Sequence, residues 1–446
     1  MHPATISAPP EAGGKRLKVL ICAYACNPTM GSEPGVGWGW VKAIARYHDL
    51  WVLTNSANQR NIEDEIARTP DAYHGVHFHY IPRKRWRGLE RIWPPAYLWT
   101  YHLWLREAYA VGRRLHQEIG FDLVHQLTYV TFRAPGHLWK LDVPFVWGPI
   151  GGLENTPWRL LPAMGLKGAV HFACRNVINS FHKRFLRAPK RAFRKAASRG
   201  AVIAATEGVR KEIRRWYGCE SRVICEVAAP EPIAGTHSVR LPGEPLRLAW
   251  SGLHIPRKAL PLLLRALARL PGEVDWCLDV LGHGPCTGRW QRLTRRLGLD
   301  GRCTWRGWLP REEAIAVMRK AHVFVITSLQ DLTSTVLMEA LALGLPVVCP
   351  DHCGFSDVVT AECGIAVPAK TPKQIMIGFG TAIERVWANE ERRRALAEGA
   401  RWRAAASGGD EKARAVNCVY GGACQRYYRT IYKGVIHAHR GAEPRN

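Results

Sequence analysis

Short apolar runs alternate with longer amphipathic segments along most of this chain, and that alternation limits the possible folds more than any other feature. It is most regular in the second half. There "LRLAWSG" is followed by "ALPLLLRALARL", which carries Leu260, Leu263, Leu264 and Leu267 at helical spacing, and then by "WCLDVLG", "WQRLTRRLG", "CTWRGW", "EEAIAVMRKA" and "HVFVITS". An apolar run of roughly four to eight residues bounded by turn residues reads as a strand covered on both faces, which is the situation in a parallel sheet. The first half shows the same pattern less evenly, in "LKVLICAY" (Leu17 to Tyr24), "LWVLTNS", "VHFHYIP", "FDLVHQLT", "VPFVWGP" and "AVIAAT". Strands alternating with helices form doubly wound α/β sheets, so two such series predict two Rossmann-like domains.

The length of 446 residues agrees, since a single core seldom organises more than roughly 250–300. Residues 1–16 are rich in Pro and Gly and read as a disordered lead, 17–236 as the first domain, the polar "HSVRLPGEP" (237–245) as a linker and 246–405 as the second domain. From about Glu390 the chain reads as helices rich in Ala and Arg, and 406–446 as a C-terminal helical tail. Two open sheets joined by a short linker leave a cleft at the carboxyl ends of their strands, where ligands of such folds bind.

Within "SLQDLTSTVLMEALALGLPVVCP" a helix is predicted to begin near Ser334, with Asp331 in the preceding loop and Glu339 on an early turn. Carboxylates only accept hydrogen bonds, which suits a vicinal diol of a ribose or hexose. Thr333, Ser334 and Thr335, with the free N–H groups of the helix start, can hold a diphosphate. On its own the stretch fits a capped helix equally well. A second loop tilts the balance: "SGLHIPRKALPLLL" brings His254, Arg257 and Lys258 to the end of the first strand of the same domain, on the same sheet edge. Cations at a helix start oppose the macrodipole, so an anionic ligand gives them a reason to be there.

Four segments, "SGLHIPRKALPLLLRAL", "LDVLGHGP", "TWRGWLPREEAIAVMRKAHVFVITS" and "QDLTSTVLMEALALGLPVVCPDHCGFSDVV", follow one another at spacings that make the chain from Leu246 to Val367 resemble the nucleotide-sugar-binding domain of the retaining glycosyltransferases of family 4. The resemblance implies the GT-B fold and a role like that of bacterial exopolysaccharide and lipopolysaccharide glycosyltransferases. It places Lys258 on the donor diphosphate, Glu339 on the nucleotide ribose and Asp331 near the donor sugar, with no metal and no cofactor beyond the nucleotide sugar. Three departures stand out. Leu253 takes the place of the family's loop arginine, leaving His254 or Arg257 to substitute. Asp331 stands where the family has a glutamate. "LTST" replaces a glycine-rich phosphate cradle with hydroxyl donors.

In the first domain, "NPTMGSEPGVGWGW" sets Gly31, Gly35, Gly37 and Gly39 after the first strand, where a ligand can approach the backbone closely. The resemblance makes Gly31, Ser32 and Glu33 acceptor-side contacts and His125, at the end of "FDLVHQLT", the group that orients the donor sugar; "WGPIGGLEN" (Trp147 to Asn155) reads as a flexible cleft loop. A lone histidine in that position is otherwise a satisfied core residue.

The balance of 63 Lys+Arg against 37 Asp+Glu gives +26, which suits a polyanionic partner. From Asn155 to Thr206 there is no Asp or Glu, and apolar Val177, Phe181, Phe185 and Leu186 alternate with cations; "RKRWRGLERIWPPAYLWTYHLW" adds aromatic residues of interfacial type. Together these predict a protein peripheral on an anionic membrane surface, against the alternative of a solvated helix packed on the core. No signal peptide or spanning segment is evident, and thirteen cysteines without a CxxC pair read as reduced thiols. The expectation is a cytoplasmic, retaining hexosyltransferase on the inner face of the membrane, acting on a lipid-linked or saccharide acceptor. A non-catalytic nucleotide-sugar-binding subunit is the alternative. Nucleic-acid binding ranks below both, because no recognised motif accompanies the charge.

Overall fold

The computed structural model describes residues 15–83, 95–230 and 239–440. Most of the expected disordered lead, part of the aromatic stretch after Pro82 and the start of the linker lie outside the described residues. The first domain contains β1 (Lys18–Ala23), α1 (Ser32–Ala45), β2 (Asp49–Asn55), α2 (Gln59–Arg68), β3 (Val76–Ile81), α3 (Pro95–Ile119) and β4 (Leu123–Thr128). It continues through β5 (Phe145–Ile150), α4 (Gly165–Phe185), α5 (Arg187–Arg199), β6 (Gly200–Ala204), α6 (Glu207–Tyr217) and the two-residue β7 (Arg222–Val223). All strands run parallel in the order β3-β2-β1-β4-β5-β6-β7.

The second domain follows with β8 (Leu246–Ser251), α7 (Pro261–Leu267), β9 (Trp276–Leu281), α8 (Thr287–Arg296), β10 (Cys303–Gly307), α9 (Arg311–Arg319) and β11 (Val323–Val325). Next come α10 (Thr335–Ala342), β12 (Val347–Pro350), α11 (Phe355–Val358), β13 (Gly364–Val367), α12 (Pro372–Ala388) and α13 (Glu390–Ala405). Its sheet is also parallel, in the order β10-β9-β8-β11-β12-β13. These are the two Rossmann-like sheets that the apolar alternation predicts. The strand order reverses beside β1 in one sheet and beside β8 in the other, and a crevice opens at each such switch point.

Full burial explains the uninterrupted apolar strands: every residue of β5 and of β12 is buried, and β4 is buried throughout even though it carries His125, Gln126 and Thr128. Two features depart from a simple succession of domains. The final helix, α14 (Gly409–Arg440), is no free tail. It returns to the first domain and packs on α1, α5, β5 and β6, where Val416, Tyr420 and Ala423 join a core with Trp40 and Ile203. Conversely Leu160, Leu161, Met164 and Phe172, from the first half of the chain, pack into the core of the second domain. All thirteen cysteines are unpaired. The aromatic stretch that continues into α3 is split: Tyr101 and Trp104 are core residues, whereas Leu98 and Trp99 are exposed.

Candidate active site

The loop after β1 brings the first wall of the cleft into place. α1 starts at Ser32, and its approach to β1 depends on Gly37, where a Cβ would lie 2.0 Å from the Ala25 carbonyl oxygen. Gly31 and Ser32 are exposed. The Glu33 carboxylate turns inward and accepts the Val130 N–H. Burial pushes the Glu33 carboxyl up to about 7 despite the opposing effect of that hydrogen bond, so near neutral pH it is poised between acid and base.

The opposite wall comes from two loops of the second domain, after β8 and β11. Lys258 is buried and donates to Asp331 Oδ2 at 2.6 Å, and Arg257 lies 3.2 Å from the same oxygen while also donating to the Gln330 carbonyl at 2.7 Å. Burial alone would raise the Asp331 carboxyl, but Lys258 and Arg257 outweigh it and hold the group below the usual carboxylate range. Two cations against one anion leave this cluster with one net positive charge.

Ser32 and Glu33 face Arg257, Lys258, Asp331 and Ser334 across a cavity of about 390 Å³, which Thr335 and Leu253 also line. Leu253, where the resembling family has an arginine, presents an exposed apolar side chain to this cavity. An adjoining recess of about 290 Å³ contains Gly31, Glu339 and Arg311, whose guanidinium donates to Glu339 Oε1 at 2.8 Å. Ser334 sits before α10 with φ 80, and its side chain makes no capping bond, leaving the hydroxyl to the cavity.

Three expected contacts are corrected. His125 is wholly buried in β4, with Nδ1 2.7 Å from the Tyr420 hydroxyl and Nε2 2.6 Å from the Gly148 carbonyl; burial brings its imidazole down to about 4, and neither nitrogen is available to a sugar. His254 is likewise buried, packed among Trp250, Trp290 and Trp305 with Nδ1 2.8 Å from the Thr287 hydroxyl, so it does not replace the absent loop arginine. Thr333 gives its N–H and its hydroxyl to the two carboxylate oxygens of Glu226, at 2.8 and 3.2 Å. Of the three hydroxyl residues, Ser334 and Thr335 line the cavity.

Glu226 itself was not among the residues expected at the site. It is buried, its carboxylate holds the Thr333 loop, and its carbonyl accepts the Trp40 indole N–H at 2.8 Å and Lys412 Nζ at 3.0 Å. One residue between the domains thereby joins α1, α14 and the loop before α10. Its only trace in the sequence is a single acid inside the apolar "VICEVAA". Among the described residues, no group of three or more His, Cys, Asp or Glu side chains is arranged to hold a metal ion.

Residues 238–403 match the family model described as glycosyl transferases group 1. Over 201 residues the chain is 29% identical to the lipopolysaccharide core biosynthesis glycosyltransferase LpsE of Rhizobium meliloti (strain 1021), covering 44% of this chain and 56% of that protein. Over 142 residues it is 31% identical to the putative colanic acid biosynthesis glycosyltransferase WcaL of Salmonella typhimurium (strain LT2), covering 30% and 35% respectively. The chain therefore spans about half or less of the length of these curated relatives. The crystal structure of HepE from Anabaena in complex with UDP superposes with a TM-score of 0.57 at 14% identity, over 91% of this chain and 100% of that one. The protein has the two-domain fold of the GT-B glycosyltransferases, and residues 238–403, most of them in its second domain, are similar to the group 1 family.

Proposed function

We propose that the protein is a glycosyltransferase of bacterial surface-polysaccharide assembly, moving a hexose from a nucleoside diphosphate donor to a lipid-linked or saccharide acceptor with retention of configuration, at the inner face of the membrane. The observation that carries this reading is the joining of Arg257, Lys258 and Asp331, at the switch point of the second sheet, with Ser334 and Thr335 in one cleft that Glu33 closes from the other side. The names of LpsE and WcaL support the pathway, and the UDP in the HepE crystal supports the donor class.

The chemistry follows from the charges. As the sugar–phosphate bond breaks, negative charge grows on the diphosphate, and Lys258 and Arg257 are already held in place to offset it by their bonds to Asp331 and the Gln330 carbonyl. No metal is assigned to that task. Ser334 and Thr335 supply hydroxyl donors to the phosphate oxygens, Glu339 accepts from the ribose, and Asp331 accepts from the donor sugar. The acceptor hydroxyl enters beside Ser32 and Glu33. Attack takes place on the face from which the diphosphate departs, through an oxocarbenium-like state without a protein nucleophile, and the acceptor hydroxyl passes its proton to the departing diphosphate as the new glycosidic bond forms.

A screen of UDP-, GDP- and ADP-sugars by thermal shift tests the reading. Stabilisation of the wild type by one of these donors, lost in Lys258→Ala and Glu339→Ala, is the expected result. Binding unaffected by both substitutions would overturn the pocket assignment, and binding without turnover in the presence of acceptors would leave a sugar-nucleotide-binding subunit.

A further inference from the structure

α4 is amphipathic the wrong way round. Its inward side carries Asn176, Asn179 and Lys183, all buried. Asn176 bonds the Thr156 backbone in both directions, at 2.8 and 3.0 Å, Asn179 donates to the Leu153 carbonyl at 3.1 Å, and Lys183 donates to the Leu153 carbonyl at 3.0 Å and to Glu212 at 2.6 Å. Its outward side carries Leu166, Val170, Val177, Ile178, Phe181 and Phe185, between 52% and 82% exposed. At about 100° per residue these six fall within about 120° of arc, opposite the buried polar residues. Helix α4 thus buries Asn176, Asn179 and Lys183 beside core residue Phe172 and turns an apolar stripe some five turns long to the outside, a pattern that needs something apolar to cover it.

The surroundings select the partner. Lys167, His171 and Arg175, four residues apart and all exposed, run along one edge of the stripe, and Arg184 is exposed near the other end. The next helix, α5, presents Arg187, Lys190, Arg191 and Arg194 to solvent while burying Ala192, Phe193 and Ala196. No acidic residue occurs between Asn155 and Thr206 to interrupt this field. An apolar stripe within a ring of cations is complementary to a layer that is anionic at its surface and apolar just beneath it. No helix among the described residues is long and apolar enough to cross a membrane, so the contact is one of lying on the surface.

The placement of α4 ties this surface to the cleft. Gly168 packs directly against Pro256, which begins the turn that carries Arg257 and Lys258, and the segment leading into α4 is built into the core of the second domain. We propose that the outward face of α4, flanked by the cations of α5, is the surface that seats the protein on an anionic bilayer, and that it does so beside the mouth of the cleft. A hydroxyl carried by a lipid then reaches Glu33 without leaving the interface. This deepens the membrane part of the function proposed above and rests on that reading for the approach to Glu33; vesicle binding and sugar transfer are measured separately, so failure of one is told from failure of the other.

The test is co-sedimentation of the full-length protein with vesicles of phosphatidylcholine, alone or mixed with phosphatidylglycerol. Wild type is expected to pellet with the mixed vesicles far more than with the neutral ones, and less as salt rises. Phe181→Asp combined with Phe185→Asp, and separately Lys167→Glu combined with Arg184→Glu, are each expected to weaken that binding by more than about tenfold while leaving the melting temperature and donor binding unchanged, because all four side chains are exposed. Wild-type levels of binding in both variants would overturn the proposal. So would an absence of wild-type binding, or a wild-type dimer that the Phe181/Phe185 variant converts to monomer, which would give the face to a second copy of the chain.

Discussion

The two walls of the cleft are built on different principles. On the side of the second domain, side-chain charges hold one another: Lys258 and Arg257 converge on Asp331, and Arg311 meets Glu339. On the side of the first domain, Glu33 is held by a backbone N–H, and the nearby histidine of β4 has turned into the core. A wall made of paired charges suits a ligand that brings fixed charge, as a diphosphate does. A wall made of backbone and one neutralisable carboxyl suits a ligand that brings hydroxyls. The difference fits the proposed division of the cleft, with the donor held by the second domain and the acceptor by the first.

The largest effect is expected from Lys258→Ala. It removes one of the two cations proposed to hold the diphosphate and strips Asp331 of its shortest ion pair, so turnover should fall by about 10²–10³, in the range found for loss of one preorganised charge-stabilising donor. Initial rates at saturating acceptor measure this, and a loss of only a few fold would break the charge-built picture of the donor wall. Next is Glu226→Ala, which leaves the buried Thr333 N–H and hydroxyl without partners and should cost about 1–3 kcal/mol in denaturant unfolding. An unchanged midpoint would show that the cavity walls are not joined through this residue.

Those two substitutions also mark the limits of what the sequence reveals. Lys258, Asp331 and Glu339 lie in loops and helix starts whose local pattern announces them, and each sheet is legible because apolar periodicity is a local property. Glu226 is not legible, because its partners Thr333 and Lys412 are 107 and 186 residues away in the chain. The same holds for His125, whose partner Tyr420 is 295 residues distant on a helix whose return to the first domain leaves no mark in periodicity. The inversion of α4 is half visible. Its apolar stripe can be read from spacing, but a stripe points to the core by default, and only the bonds of Asn176, Asn179 and Lys183 show that it points out.

Glu33→Gln sharpens the comparison from the acceptor side. The folded-state value of Glu33 is raised from 4.5 to about 7, so the protein binds this proton more tightly when folded; the associated stability is complete below about 4.5 and is lost as pH rises through about 7. The melting temperature of the wild type should fall relative to Glu33→Gln across that window, and the acceptor KM should rise by about tenfold with the donor KM unchanged. Parallel pH profiles for the two proteins would contradict the placement of this carboxyl. The smallest effect belongs to Tyr420→Phe, which removes one hydrogen bond to buried His125 and should cost about 1 kcal/mol without changing turnover per folded molecule. A selective loss of turnover would return His125 to the reaction.

The most direct measurement is a crystal structure with a tightly bound nucleotide sugar or its nucleoside diphosphate. The diphosphate is expected within hydrogen-bonding distance of Lys258 Nζ and the Ser334 hydroxyl, with the ribose displacing Arg311 from Glu339. A nucleotide bound outside the cleft between the domains, or held there with Lys258 still paired only to Asp331, would contradict it.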